Sequence, residues 1–182
     1  MKQVLVVLAP GFEELEAVAP IDLGRRAGLI VTIAGLDSLT VTSKRGLTVT
    51  CDELLDPQKR HWDALVLPGG LPGADHLAAS PKIAELLAWF ETEGRWIAAI
   101  CAAPARVLGS QGLLKGRRWT GFPGTDDQAF GGFYQSSPVV VDGHVLTSRG
   151  VGTATEFSLK LISLLLGEVV ATRVARETLL AD

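Results

Sequence analysis

Apolar positions along this chain come in two rhythms. Short, almost uninterrupted apolar runs have the length and composition of strands buried on both faces. They are QVLVVLA (Gln3 to Ala9), LIVTIAGL (Leu29 to Leu36), DALVLPGG (Asp63 to Gly70) and RWIAAIC (Arg95 to Cys101). Elsewhere the apolar residues recur at helical spacing. Glu13 to Ala27 predicts a helix with Arg25 and Arg26 in its last turn and Gly28 as its stop. Ser80-Pro81 predicts a cap and first-turn proline for a helix running to about Glu93. A short helix is predicted from about Pro104, a long one over TATEFSLKLISLLLG, and a shorter one from about Glu168. LTVTSKRGLTVT predicts two short strands around Lys44-Arg45-Gly46, and VVVDGHVLTS a hairpin turning at Asp142-Gly143.

Strands alternating with helices predict an α/β fold with a mostly parallel central sheet covered on both sides. The pattern holds without repeat, low-complexity tract or linker, so one domain over residues 1–182 is expected. In such sheets ligands sit beyond the carboxyl ends of the strands. Three segments fall at such ends: Ala9 to Glu14, Leu67 to Leu71, and Ile100 to Ala102.

Composition narrows the function classes. The formal charge is −3 over 182 residues, with acidic and basic residues interspersed, which recommends neither nucleic acid nor a membrane surface as partner. The first apolar run is only strand-length and meets Pro10, Gly11 and glutamates, so no secretory leader is expected. Cys51 and Cys101 are far apart, and neither has metal-ligand spacing around it. Reduced thiols, a cytoplasmic setting and no metal are expected. The first helix lacks a clean polar face, which points to a homodimer burying one helix surface.

Cys101 closes a buried strand and precedes AAPARVLG. It reads either as a small core hydrophobe or as a nucleophile delivered to a tight strand-to-helix turn. In the second reading, amides at the helix start favour the thiolate and lower its pKa below the free-thiol value of about 8.5. Glu13, Glu14 and Glu16 suit the first turn of a helix for electrostatic reasons alone. Glu16 has Ala19, Pro20 and Leu23 as angular neighbours, while Glu14 has Val18 and Ile21, so the helical wheel does not choose between them. Gly69 and Gly70 read as a tight turn, or as backbone N–H donors to an oxyanion near Cys101. The histidines, His61, His76 and His144, read as surface residues, with His76 on the loop after Gly70 the nearest to a pocket.

AAICAAPARVL, LVLPGGLPGADHL, GFEELEAVAPIDLGRRAG and LTSRGVGTATEF resemble, in matching order, motifs of the ThiJ/PfpI superfamily. The likeness is to the branch containing the parkinsonism-associated protein and the bacterial YajL chaperone. It implies a flavodoxin-like three-layer sandwich, homodimeric and free of cofactors. It makes Cys101 the reactive cysteine and assigns its partner carboxylate to Glu16. Gly69, Gly70 and Ala102 would supply the oxyanion or substrate-binding amides. Ala102 stands where the peptidase branch has a histidine, which argues against proteolysis. Phe122 stands where the human-like branch has a histidine, so it can shape a pocket but cannot move a proton. The resemblance implies glyoxalase III-like or deglycase-like action on methylglyoxal, glyoxal or their adducts. The alternative it carries is an oxidative-stress sensor or holdase chaperone, with modified or unfolded protein as partner.

Overall fold

The computed structural model describes residues 1–125 and 131–181. The chain begins with β1 (Gln3–Leu8), α1 (Glu14–Ala27) and β2 (Ile30–Gly35), followed by a hairpin of β3 (Thr40–Thr42) and β4 (Thr48–Thr50). Next come β5 (Glu53–Leu54), β6 (Ala64–Leu67), α2 (Gly73–Ala79), α3 (Pro81–Thr92) and β7 (Trp96–Ile100). A π-helical segment, Pro104–Gly109, follows, then β8 (Arg118–Trp119) and β9 (Phe133–Tyr134). The chain closes with β10 (Val139–Asp142), β11 (Val145–Ser148), α4 (Ala154–Leu166) and α5 (Glu168–Glu177).

Seven strands form one sheet in the order β10-β11-β7-β6-β1-β2-β5. Its pairings are parallel except β10 with β11. The pleat of β1 explains its continuous apolar run, because alternate residues serve two cores. Val4, Val6 and Leu8 pack with Leu23 of α1, Phe157 and Leu161 of α4, and Val174 of α5. Leu5, Val7 and Ala9 pack on the other side with Leu77 of α2 and Leu86, Leu87 and Phe90 of α3. The result is the expected flavodoxin-like three-layer sandwich.

This topology positions the site. β1 passes through α1 to β2, while β6 passes through α2 and α3 to β7 in the opposite direction along the sheet. The two paths diverge between β1 and β6 and open a crevice beyond the strands' carboxyl ends. β11 runs parallel to β7, so its end reaches the same rim.

Some local expectations are corrected. Asp142 pairs with Val145, so the turn residues are Gly143 and His144, one position later than predicted. The Arg118 N–H donates to the Asp142 carboxylate at 3.0 Å, which engages the aspartate on the strand side of the turn. Ser80 precedes α3 as predicted, but its hydroxyl makes no capping hydrogen bond. The predicted helix from Pro104 is wound as a π-helix, and α2, β5, β8 and β9 were not foreseen. Among the described residues no helix is long and apolar enough to cross a membrane.

Candidate active site

Cys101 follows β7 directly and adopts φ +66°, a left-handed conformation that non-glycine residues rarely take. The surrounding bonds impose it: Cys101 N–H donates to Ser148 O at 3.0 Å, and Phe122 N–H donates to Cys101 O at 2.8 Å. Strain of this kind persists only where neighbours over-determine it, and the side chain it carries is half-buried. The thiol therefore stands at a tight elbow between β7 and the segment that follows.

Glu16 approaches from the first turn of α1 and is fully buried, with 0% exposure. Its Oε2 accepts the Gly69 N–H at 2.9 Å. Oε1 has no nitrogen or oxygen partner and lies on the side of the Cys101 thiol: Oε1 and Cys101 Sγ are 3.8 and 3.9 Å from where a β-carbon on Gly150 would stand. A β-carbon on Gly69 would stand 2.6 Å from Cys101 Cβ and 2.7 Å from Glu16 Oε2. Only glycine leaves room for the two groups to meet. Gly70 adopts φ +87°, and its N–H and that of Ala102 point at the Cys101 sulfur.

Burial raises the Glu16 carboxyl to about 7, against the opposing pull of hydrogen bonds from Cys101 and the Gly69 N–H. The expectation of a lowered thiol pKa is reversed. Burial first, then the charge of Glu16 and the hydrogen bond to it, push Cys101 up to about 12, outweighing the Gly70 and Ala102 amides. The sequence argument counted the amides of the turn but not a carboxylate facing the same sulfur. Above about 7 the two groups therefore hold one proton between them and the pair carries a single negative charge, while below it both are protonated.

A cleft of about 500 Å³ opens over the pair, lined by Glu13, Lys44, Arg45, Phe122, Arg149 and Thr153 among others. Of the residues anticipated from sequence, Cys101, Glu16, Gly69, Gly70, Ala102 and Phe122 come together here. Gly69 is corrected in role: its N–H is taken by Glu16 and is not free for a substrate oxygen. His76 is corrected in place: its Nδ1 is 3.1 Å from Pro10 O, and it lines a different pocket with Leu36 and Lys82. His144 pairs with Glu91 at 2.8 Å, and His61 stacks on Trp62. No imidazole serves the thiol.

Sequence reasoning missed Lys44, Arg45 and Arg149. The signal for Arg149 was present, since Ser148-Arg149-Gly150 leaves a strand end as the other three segments do. Reading VVVDGHVLTS only as a hairpin hid the parallel pairing of its second strand with β7. Among the described residues no group of three or more His, Cys, Asp or Glu side chains could hold a metal ion.

A buried carboxyl and a thiol at positive φ meet beyond the rim of a flavodoxin-like sheet, an α/β sandwich with its candidate site at the carboxyl ends of the strands. Residues 2–164 match the DJ-1/PfpI family, and the chain belongs to that family. It is 40% identical over 187 residues to the Parkinson disease protein 7 homolog of Danio rerio, covering 100% of this chain and 98% of the relative. It is 37% identical to the glutathione-independent glyoxalase DJR-1.2 of Caenorhabditis elegans, covering 91% of this chain and 90% of that one. Among solved structures, a DJ-1 superfamily protein from Salmonella typhimurium superposes with a TM-score of 0.94 at 37% identity, covering 98% of each chain. Toxoplasma gondii DJ-1, solved in an oxidized form, superposes with a TM-score of 0.93 at 37% identity, also covering 98% of each chain.

Proposed function

We propose that this protein is a cofactor-independent thiol enzyme acting on methylglyoxal, glyoxal or the adducts they form. The observation that carries this reading is the Cys101–Glu16 pair, a half-buried thiol beside a fully buried carboxyl, which suits a nucleophile and a proton-exchanging partner. With the shared proton on Glu16, the Cys101 thiolate adds to the aldehyde carbon. The carbonyl oxygen takes the proton from Glu16, giving a hemithioacetal and leaving Glu16 as carboxylate. The Gly70 and Ala102 amides face the sulfur and can pass to the oxygen formed beside it. Glu16, now a carboxylate, removes the proton from the former aldehyde carbon and returns it to the adjacent carbon, while the hemithioacetal hydroxyl proton passes to the neighbouring oxygen, leaving a 2-hydroxyacyl thioester. Water hydrolyses the thioester and restores the thiol, so methylglyoxal and water become lactate. The pocket offers Phe122 as an apolar wall and has no imidazole, which disfavours peptide hydrolysis. The test is lactate formation by pure protein beside Cys101→Ser and Glu16→Gln. Turnover abolished by the first and strongly reduced by the second supports the reading; equal turnover in all three sinks it.

A second reading rests on the partial exposure of Cys101 and the unpartnered Oε1 of Glu16. A protonated Oε1 can donate to a sulfinate oxygen, so the same pair suits an oxidation sensor or a redox-controlled holdase. Absence of turnover together with peroxide uptake at Cys101 would favour it.

A further inference from the structure

Three cations line the cleft above Cys101: Lys44 and Arg45 from the β3–β4 hairpin, and Arg149 from the end of β11. None forms an ion pair among the described residues, although most other basic side chains near a carboxylate do. The Nη1 of Arg149 donates to Ser136 O at 3.3 Å, while its buried Nε has no partner. The acidic groups in the cleft are Glu13 and Glu16. One charge on the Cys101–Glu16 pair, one on Glu13 and one on Glu14 balance the three cations overall, but Glu14 Oε1 is taken by Ser43 and the Arg45 N–H, so the three cationic side chains line the cleft without an ion pair.

The hairpin tip is held in place rather than hanging free. Gly11 N–H donates to Thr42 O at 2.9 Å, and Lys44 N–H to Phe12 O at 2.8 Å. Glu14, on α1, accepts the Ser43 hydroxyl and, at 2.7 Å, the Arg45 N–H. These bonds hold its pKa below the ordinary carboxylate value although partial burial opposes them. Glu14 thus stays charged and clamps the two residues that flank Lys44.

We propose that Lys44, Arg45 and Arg149 form an anion subsite facing Cys101, so that the preferred carbonyl compound carries a carboxylate or phosphate, and that Glu14 is the positioning residue of this subsite. The substrate assignment rests on the thiol-enzyme reading above, whereas the subsite can be tested without turnover.

Cys101 is alkylated at neutral pH with iodoacetamide and with iodoacetate, which share a leaving group and differ by one negative charge. N-acetylcysteine supplies the rate ratio for a thiol without a subsite. The iodoacetate-to-iodoacetamide ratio at Cys101 is expected to exceed that reference by on the order of tenfold, and to shrink with added salt. It is expected to fall toward the reference in the triple variant Lys44→Gln, Arg45→Gln, Arg149→Gln. Glu14→Gln discriminates further. Removing a negative charge by itself raises the ratio, so a fall, with the iodoacetamide rate unchanged, reports displacement of the hairpin tip. A parent ratio at or below the reference, or no change in the triple variant, overturns the subsite. A rise in Glu14→Gln overturns the positioning role. Protection of Cys101 from iodoacetamide by glyoxylate beyond that by neutral glyoxal assigns a carboxylate. Protection by inorganic phosphate assigns a phosphate, and protection by neither overturns the proposal. A high ratio without methylglyoxal turnover would leave the subsite standing and remove only the enzyme reading.

Discussion

The N–H of Gly69 donates to Glu16 Oε2 at 2.9 Å, joining groups 53 residues apart in the chain. This bond fastens the first turn of α1 to the loop after β6 and fixes which oxygen of the carboxyl is left to face Cys101. It also limits what Gly69 can be replaced by.

Gly69→Ala is expected to disable the site and to destabilise the fold by roughly 2 kcal/mol or more, because backbone and two functional side chains must move. A β-carbon there meets Cys101 Cβ at 2.6 Å, Glu16 Oε2 at 2.7 Å and Ile100 O at 2.9 Å. Denaturant melts and Cys101 alkylation rates check both effects; an alanine variant matching the parent in each would contradict the packing.

Ionisation of Glu16 near 7 adds a charge beside the sulfur and frees no thiolate, so alkylation of Cys101 by iodoacetamide should rise steeply only toward about 12. In Glu16→Gln the rise should begin at lower pH, because the charge of Glu16 is one of the causes that raise the thiol. A single ionisation at the ordinary thiol value in the parent would break the assignment.

The same carboxyl makes stability depend on pH. Its folded pKa of about 7 lies above the reference value of 4.5, so the buried neutral acid favours folding fully below about 4.5. That contribution is lost as pH rises through 7, since the unfolded chain ionises freely while the folded one resists. Relative to Glu16→Gln, the parent should lose on the order of 3 kcal/mol between pH 4 and pH 8. Urea titrations at both pH values measure it; a pH-independent difference between the two proteins would refute it.

Mild peroxide should add two oxygens at Cys101 and leave Cys51 untouched. Cys51 is only 5% exposed, and burial followed by the charge of Asp52 raises its thiol. Glu16→Leu should alter the oxidation pattern of Cys101, whereas Glu14→Leu should alter it much less. Peptide mass spectra distinguish the cases, and oxidation at Cys51 in the folded protein would contradict them.

Leu15 and Val18 on α1 are 57% and 43% exposed, beside Val151 at 44%. They border an apolar groove that continues to Leu179 and Leu180. A second copy of the chain is the expected occupant, so light scattering should report a dimer at micromolar concentration and a monomer for Leu15→Glu, Val18→Glu. Monomeric parent protein would dismiss this face as an interface.

The central layer was legible because β1, β6 and β7 are buried on both faces and so read as unbroken apolar runs. β5, β8 and β9 were not, since two-residue strands leave no period to detect. The wheel could not rank Glu14 against Glu16 because both have neighbours to pack with. Two positions along a helix turn side chains about 200° apart, and the structure uses both directions. Glu16 meets Cys101, while Glu14 meets Ser43 and Arg45. Which partner waited on each side depended on a hairpin and a strand end distant in sequence.

The β3–β4 hairpin pairs with itself and stands outside the seven-stranded sheet. Its tip, Lys44 to Gly46, can therefore be rewritten without unpairing the main sheet or shifting the elbow that carries Cys101. On the readings proposed above, Cys101, Glu16 and Arg149 belong to the scaffold, while Lys44 and Arg45 sit on an appendage. A lineage built on this chain could then alter which carbonyl compound it prefers by mutating that tip and leave the chemistry intact.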